Sequence, residues 1–345
     1  MAETQLSRRD RATTSRSRMA DVARLAGVST ATVSRALRQP DMVSPTVRSR
    51  IEDAIERLSY RRNLVAGALA SARTMTVGVI IPSIINSFFA ATVEALEEGL
   101  AGSGYQLMLG NTGYSAALEQ QLVSSFLAWS PAAMVVTGRR HEAETVRGLL
   151  ASHIPVFEMW ELSDHPIDTI VGFSHRAVGA LVVRHFAARG ARRLGFIGAY
   201  MQHDYRTADR GAGFVEAALQ AGFAAPLEAC LEDRASAMGG ARGLAELIAR
   251  DTKVDAVFCS NDIIALGALF EAGRQGLRVP EQLKICGFGD LEFTGASAPA
   301  LTTVRPPRRE IGLKIAQLLR ERLDGTAARG GSFDLGVALV PRGST

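Results

Sequence analysis

The side chains in this sequence best suited to recognising another molecule are guanidinium groups gathered near the N-terminus. Residues 1–73 hold 14 Lys and Arg against 7 Asp and Glu, whereas the remaining residues hold 25 against 28. One end is basic and the body mildly acidic, although the net charge of the whole chain is only +4. Lys and Arg that neutralise phosphates supply most sequence-independent affinity for DNA, so this asymmetry points to a polyanion-binding module joined to a body with another task. A guanidinium presented on a helix of such a module can bond guanine O6 and N7 together, a pairing worth about 1–3 kcal/mol of discrimination.

Other kinds of chemistry find little support. No glycine-rich phosphate loop stands between a strand and a helix, and no nucleophile has a base beside it. The 3 cysteines, Cys230, Cys259 and Cys286, lack metal-ligand spacing and read as reduced core residues. Neither cofactor nor metal is expected, and the chain does not read as an enzyme. Apolar runs such as 77–81 and 132–136 are far shorter than the ~20 residues that cross a bilayer. The first residues are rich in Arg and Ser and have no apolar segment of a secretion signal. A cytoplasmic protein is expected.

The elements that must position these residues follow from periodicity. Residues 1–18 have almost nothing to bury and read as a disordered basic arm. Residues 19–60 accommodate three short helices, over 20–26, 30–37 and 45–58. Gly27 stops the first, Ser29 can cap the second, and Ser44 with Pro45 supplies a cap and a first-turn proline for the third. Val22, Ala23, Ala26, Val33, Leu37, Val47, Ile51, Ile55 and Leu58 recur at helical spacing and would form one small core. This is enough for a helix-turn-helix, whose second helix, starting at Thr30, enters the major groove. From residue 75 onward, strands predicted at 76–81, 106–109, 133–137, 156–158, 194–198, 254–259 and 283–287 alternate with helices. Apolar strands separated by helices imply parallel sheets covered on both faces, here two doubly wound subdomains with a ligand expected at the strands' carboxyl ends.

The segment Met19-Ala-Asp-Val-Ala-Arg-Leu-Ala-Gly-Val-Ser-Thr-Ala-Thr-Val-Ser-Arg-Ala-Leu, followed by Val43-Ser-Pro-Thr-Val-Arg-Ser-Arg-Ile, strongly resembles the headpiece of the lactose/galactose repressor family. The likeness extends through Gly78-Val-Ile-Ile-Pro, Cys259-Ser-Asn-Asp, Gly276-Leu-Arg-Val-Pro, Leu301-Thr-Thr-Val and the closing Leu339-Val-Pro-Arg-Gly-Ser-Thr. It implies an N-terminal all-α helix-turn-helix headpiece with a hinge helix at 61–74. Residues 75–345 would form an α/β periplasmic-binding-protein-like body that binds effector and dimerises. By this resemblance Thr30, Ala31 and Arg35 read bases, Ala31 able to meet only a thymine methyl and Arg35 having a surface or phosphate-contacting role as its alternative, while Ser29, Thr32 and Ser34 contact phosphate or backbone. Leu69 would be the apolar hinge wedge that unstacks a central base step in the minor groove. Arg62 replaces the usual hinge proline, and Gly67 weakens the hinge helix by about 1 kcal/mol relative to Ala.

The same resemblance implies an effector cleft. Arg210, in Arg-Gly-Ala-Gly-Phe, matches the family arginine that grips effector hydroxyls or carboxylates, and its fork of donors suits a planar carboxylate. Asn261 matches a polar ligand contact, with Asp262 available to cap the next helix. Phe88 and Phe89 match positions that pack on the ligand, core packing being their alternative. Gly289 stands where many sugar-binding relatives have an acidic residue. That absence, together with Arg210, favours an anionic effector, unless Asp290 swings in to take its place. Val171-Gly-Phe-Ser, Thr137-Gly-Arg and Pro155-Val-Phe-Glu look most like the gluconate-operon repressors within the family. Thr137, Glu158 and Trp160 would then line the N-terminal half of the cleft, with Glu158 holding hydroxyls or Arg139, and Ser174 serving the ligand or capping a helix.

The expectation is a homodimeric repressor that binds double-stranded operator DNA and is released by a sugar acid such as gluconate. Its alternatives are the same repressor sensing a neutral sugar or a corepressor, and a solute-binding protein serving a transporter.

Overall fold

The computed structural model describes residues 17–60, 74–85, 87–326 and 330–345, and the chain divides into two compact units, Met1–Ala72 and Arg73–Thr345. The basic arm and the hinge with Leu69 lie outside the described residues, apart from the ends of each.

The first unit holds helices α1 (Met19–Ala26), α2 (Thr30–Arg38) and α3 (Pro45–Arg57). Gly27 closes α1 with a left-handed φ of +64°, and the Ser29 hydroxyl caps α2 by accepting from Thr32 N at 3.1 Å. Pro45 opens α3 as expected, but Ser44 makes no side-chain cap. Arg50 of α3 compensates elsewhere, donating to Ala26 O and to Gly27 O and so pinning the end of α1. Val22, Ala23, Ala26, Val33, Ile51 and Ala54 are buried, with Leu37, Val47, Ile55 and Leu58 packed around them.

The second unit contains two sheets of six strands. One runs β11 (Gly331–Asp334), β5 (Thr169–Gly172), β4 (Val156–Met159), β3 (Ala133–Thr137), β1 (Thr76–Ile81), β2 (Gln106–Asn111); all of its pairs are parallel. The other runs β12 (Ala338–Val340), β10 (Thr302–Arg305), β9 (Lys284–Phe288), β8 (Ala256–Cys259), β6 (Leu194–Ala199), β7 (Leu227–Leu231), parallel except for β12 against β10. The central strands β1, β3, β4, β6, β8 and β9 carry the apolar runs that periodicity exposes. Five strands, β5, β7, β10, β11 and β12, escape that reading, because each has at most five residues and several mix in polar ones. The chain passes between the sheets at β5 to β6, β10 to β11 and β11 to β12. The closing residues are built into the second sheet: Ser344 Oγ donates to Ile285 O and accepts from Thr302 N.

Helices cover both sheets: α4 (Ser87–Gly99), α5 (Ala116–Ala128), α6 (Ala143–Ala151), α7 (His175–Ala188), α8 (Tyr205–Gln220), α9 (Ala237–Arg250), α10 (Asp262–Arg274), α11 (Phe293–Ala296) and α12 (Arg308–Leu323). Helices α7 and α8 cross at unusually close range. A Cβ on Gly179 would lie 2.2 Å from Phe214 N, and one on Gly213 would lie 2.3 Å from Arg176 O. Two glycines thus bring the helix backbones together, which sets the second and third turns of α8, from Arg210 to Phe214, against the start of α7. No helix among the described residues is long and apolar enough to cross a membrane.

Candidate DNA interface and effector cavity

On α2, Val33 is fully buried while Thr30, Ala31 and Arg35 are exposed. Ala31 and Arg35 are one turn apart and share a face. Arg35 makes no ion pair or hydrogen bond among the described residues, in contrast to Arg48, held by Glu52 at 2.8 Å, and Arg50. Its guanidinium is therefore free for a base edge or phosphate. Ser29 Oγ and Thr32 Oγ1 are 2.9 Å apart, so these two hydroxyls already satisfy one another at the helix start. Ser34 is half-buried.

The second unit encloses a cavity of about 360 Å³ at the carboxyl ends of the strands of both sheets. Phe88 and Phe89 at the start of α4, Trp160 after β4 and His175 at the start of α7 form one wall. Asp204, Arg206, Thr207 and Arg210 from the start of α8, Asn261 after β8 and Phe288 of β9 form the other. Tyr114, Tyr200 and Arg234 stand at the mouth. Arg234 reaches from one half to the other, donating to Gly113 O at 2.9 Å, and the two tyrosine rings meet edge-on at 5.8 Å.

Arg210 lies over the Phe288 ring at 4.3 Å, its Nη1 donates to His175 Nδ1 at 2.9 Å and its Nη2 to Thr207 Oγ1 at 2.8 Å. Burial, more than the neighbouring charges, brings its pKa down to about 10. His175 is held well below its ordinary range by burial and by the charges of Arg210 and Arg206, so it is neutral. Asn261 caps α10 by accepting from Ile264 N at 3.0 Å, which leaves its NH2 end for a ligand. Asp262 is not that cap. Its carboxylate is buried and takes bonds from Thr303 Oγ1 at 2.6 Å and Leu291 N at 2.8 Å. Ser174 is a helix cap, accepting from Ala177 N at 3.2 Å.

Four residues expected in the cavity stand elsewhere. Thr137 donates to Ile80 O at 2.9 Å and borders an adjoining chamber of about 150 Å³ that shares Tyr114 and Arg206 with the cavity. Glu158 is buried in the first sheet, accepting from Ile167 N at 2.6 Å and facing His141; burial raises its pKa. Arg139 pairs instead with Glu161, at 3.2 Å, and with Asp209, at 3.4 Å. Gly289 has a φ of +135°, and its missing Cβ would lie 2.1 Å from the Phe88 ring, so the place of the acidic residue is filled by an aromatic edge. Asp290 does not swing in. Arg305 Nε at 2.5 Å and Arg342 Nη2 at 2.6 Å fix its two oxygens.

Sequence reasoning missed Arg206, Asp204, Tyr114, Tyr200, Arg234 and Glu161. A signal for Arg206 was available, since it precedes Arg210 by one helical turn and must share its buried face.

Residues 18–63 match the profile described as bacterial regulatory proteins, lacI family, and residues 183–345 that of the periplasmic binding protein-like domain. Over 334 residues the chain is 39% identical to the HTH-type transcriptional regulator GntR of Pseudomonas aeruginosa, covering 96% of this chain and 97% of that one. The chain belongs to the lacI family of bacterial regulators. A crystal structure of a lacI-family transcriptional regulator from Silicibacter pomeroyi superimposes with a TM-score of 0.87 at 31% identity, covering 95% of this chain and 99% of the other. The lac repressor dimer bound to operator and the anti-inducer ONPF superimposes with a TM-score of 0.83 at 25% identity, covering 95% and 98%. This lacI-family member is thus a DNA-binding transcriptional repressor and not an enzyme. Its body is the two-subdomain α/β fold of these regulators.

Proposed function

We propose that this regulator works as a homodimer that represses by binding operator DNA and is released when a sugar acid, gluconate or a near relative, occupies the cavity of the second unit. The observation that carries the reading is the pair of buried arginines, Arg206 and Arg210, set against a single carboxylate, Asp204, in a cavity whose walls also hold aromatic rings, the Asn261 amide and a neutral histidine, with a third arginine, Arg234, at its mouth. Guanidinium groups desolvated in this way favour an anion, and the aromatic walls suit the CH face of a polyol chain. Identity of 39% to a regulator named GntR supports the regulator class within which this ligand is proposed. In the headpiece, Thr30, Ala31 and Arg35 meet base edges, Ser29, Thr32 and Ser34 lie along the backbone, and Leu69 wedges the central step. A dimer is supported by likeness to the lac repressor dimer on operator. The alternative of a solute-binding protein gives no role to the basic headpiece.

Effector lowers operator affinity only if it binds the released conformation more tightly. The test is anisotropy of a labelled fragment of the protein's own promoter, titrated with gluconate and with glucose. Release by gluconate alone is expected. Retention of DNA at saturating gluconate would reject the sugar-acid inducer.

A further inference from the structure

Arg206 and Arg210 stand one turn apart on α8, and their surroundings differ in one respect that decides their roles. Both terminal nitrogens of Arg210 are engaged inside the protein, with His175 Nδ1 and Thr207 Oγ1, and its Nε, though without a hydrogen-bond partner, is buried out of reach of a ligand. Arg206 is equally buried, at 5% exposure, yet only its Nε faces an acceptor, Asp204 Oδ1 at 3.3 Å. Its Nη1 and Nη2 make no hydrogen bond with the described residues and are not sealed from the cavity that the side chain lines. Rings of Tyr205, Phe89 and Tyr114 surround the guanidinium at 5.1, 5.8 and 6.0 Å. A planar cation boxed by rings is approached along its edge, which presents parallel N–H groups in the geometry that matches a carboxylate.

The buried charges fit the same ligand. Arg206 faces the Asp204 carboxylate, whose other oxygen accepts from Thr207 Oγ1 at 3.0 Å and whose charge also acts on Arg210 without a direct ion pair. Glu161, also near Arg206, is bonded by Arg139, and Asp209 by Arg139 and Arg140. His175 is neutral. One uncompensated buried positive charge remains, which a single anionic group would neutralise.

Resting on the sugar-acid reading, we propose that Arg206, rather than Arg210, binds the carboxylate of the ligand and so selects an aldonate over the matching polyol. Arg210 is then a positioning residue that holds His175 and Thr207 in the cavity wall.

The experiment is calorimetric titration of the full chain with gluconate and with glucitol, which differ only in carboxylate against hydroxymethyl. Wild type is expected to favour gluconate by about 100-fold, the scale of one charge-assisted two-point contact. Arg206→Gln should erase that preference, weakening gluconate about 100-fold more than glucitol. Arg206→Lys, which keeps the charge without the fork, should lose about tenfold of the preference. An Arg206→Gln protein that still binds operator and keeps the wild-type preference would overturn the assignment. If that variant fails to fold, undiminished preference in Arg206→Lys would overturn it equally. Wild type that does not favour gluconate at all would instead reject the sugar-acid reading on which the assignment rests.

Discussion

Arg210 Nη1 lies 2.9 Å from His175 Nδ1, while the opposite ring nitrogen of His175 lies 3.0 Å from the Trp160 carbonyl. Arginine has only donors and the carbonyl only accepts, so the imidazole must carry its proton on Nε2 and accept at Nδ1. A residue following the last inner strand of one sheet is thereby joined to a helix that follows a strand of the other. The contact ties the two halves of the cavity wall through a neutral histidine.

Replacing His175 by Leu leaves a buried guanidinium N–H without an acceptor, a loss of about 1–3 kcal/mol. The expected result is a lower thermal transition and weaker effector binding. His175→Gln, which still offers an acceptor, should recover most of both. Equal transitions for wild type and the Leu variant would show that the pair contributes nothing.

Asp262 supplies a pH dependence with a definite sign. Burial raises its pKa to about 6, above the ordinary 3.8, despite the bonds from Thr303 and Leu291. The folded state therefore holds this proton more tightly than the unfolded chain. Its stabilising contribution is complete below about pH 4 and is lost as pH rises through 6, by roughly 3 kcal/mol at most. The stability of wild type relative to Asp262→Asn should fall across that window and stay level above pH 7. A level difference from pH 4 to 7 would contradict the shift.

Arg35 is exposed and unpaired among the described residues, so its removal should leave the headpiece folded. Arg35→Ala is expected to weaken specific operator binding by about 1–3 kcal/mol, mostly at one base position. Binding assays on operators varied one base at a time distinguish this from phosphate contact. A uniform loss over all operators would make Arg35 a phosphate ligand instead.

Much of the architecture was legible because its signals are local. Caps at Ser29 and Ser174 and the stop at Gly27 can be read residue by residue, and the apolar runs of β1, β3 and β8 need no partner to be seen. The short strands β11 and β12 cannot be found this way, because what makes them strands is pairing with β5 and β10 far along the chain. The cavity shows the same division. Phe88, Phe89, Trp160, Arg210 and Asn261 line it, whereas Thr137 and Glu158 lie in the first sheet outside the cavity wall. Whether a strand-end residue faces a ligand depends on the helix that crosses above it, and here the contact of Gly179 with Gly213 brings Arg206 and Arg210 into place. Gly289 reads as an absence in sequence. In space, Phe88 occupies the position that a side chain there would take.

Operator and effector, on the proposed function, are coupled through the body, and such coupling must be reciprocal. Calorimetric titration of gluconate into the protein, free and saturated with operator, tests it most directly. Gluconate affinity should fall on operator by the same factor, on the order of 10 to 100, by which gluconate weakens operator binding. Equal gluconate affinity in the two titrations would contradict the account.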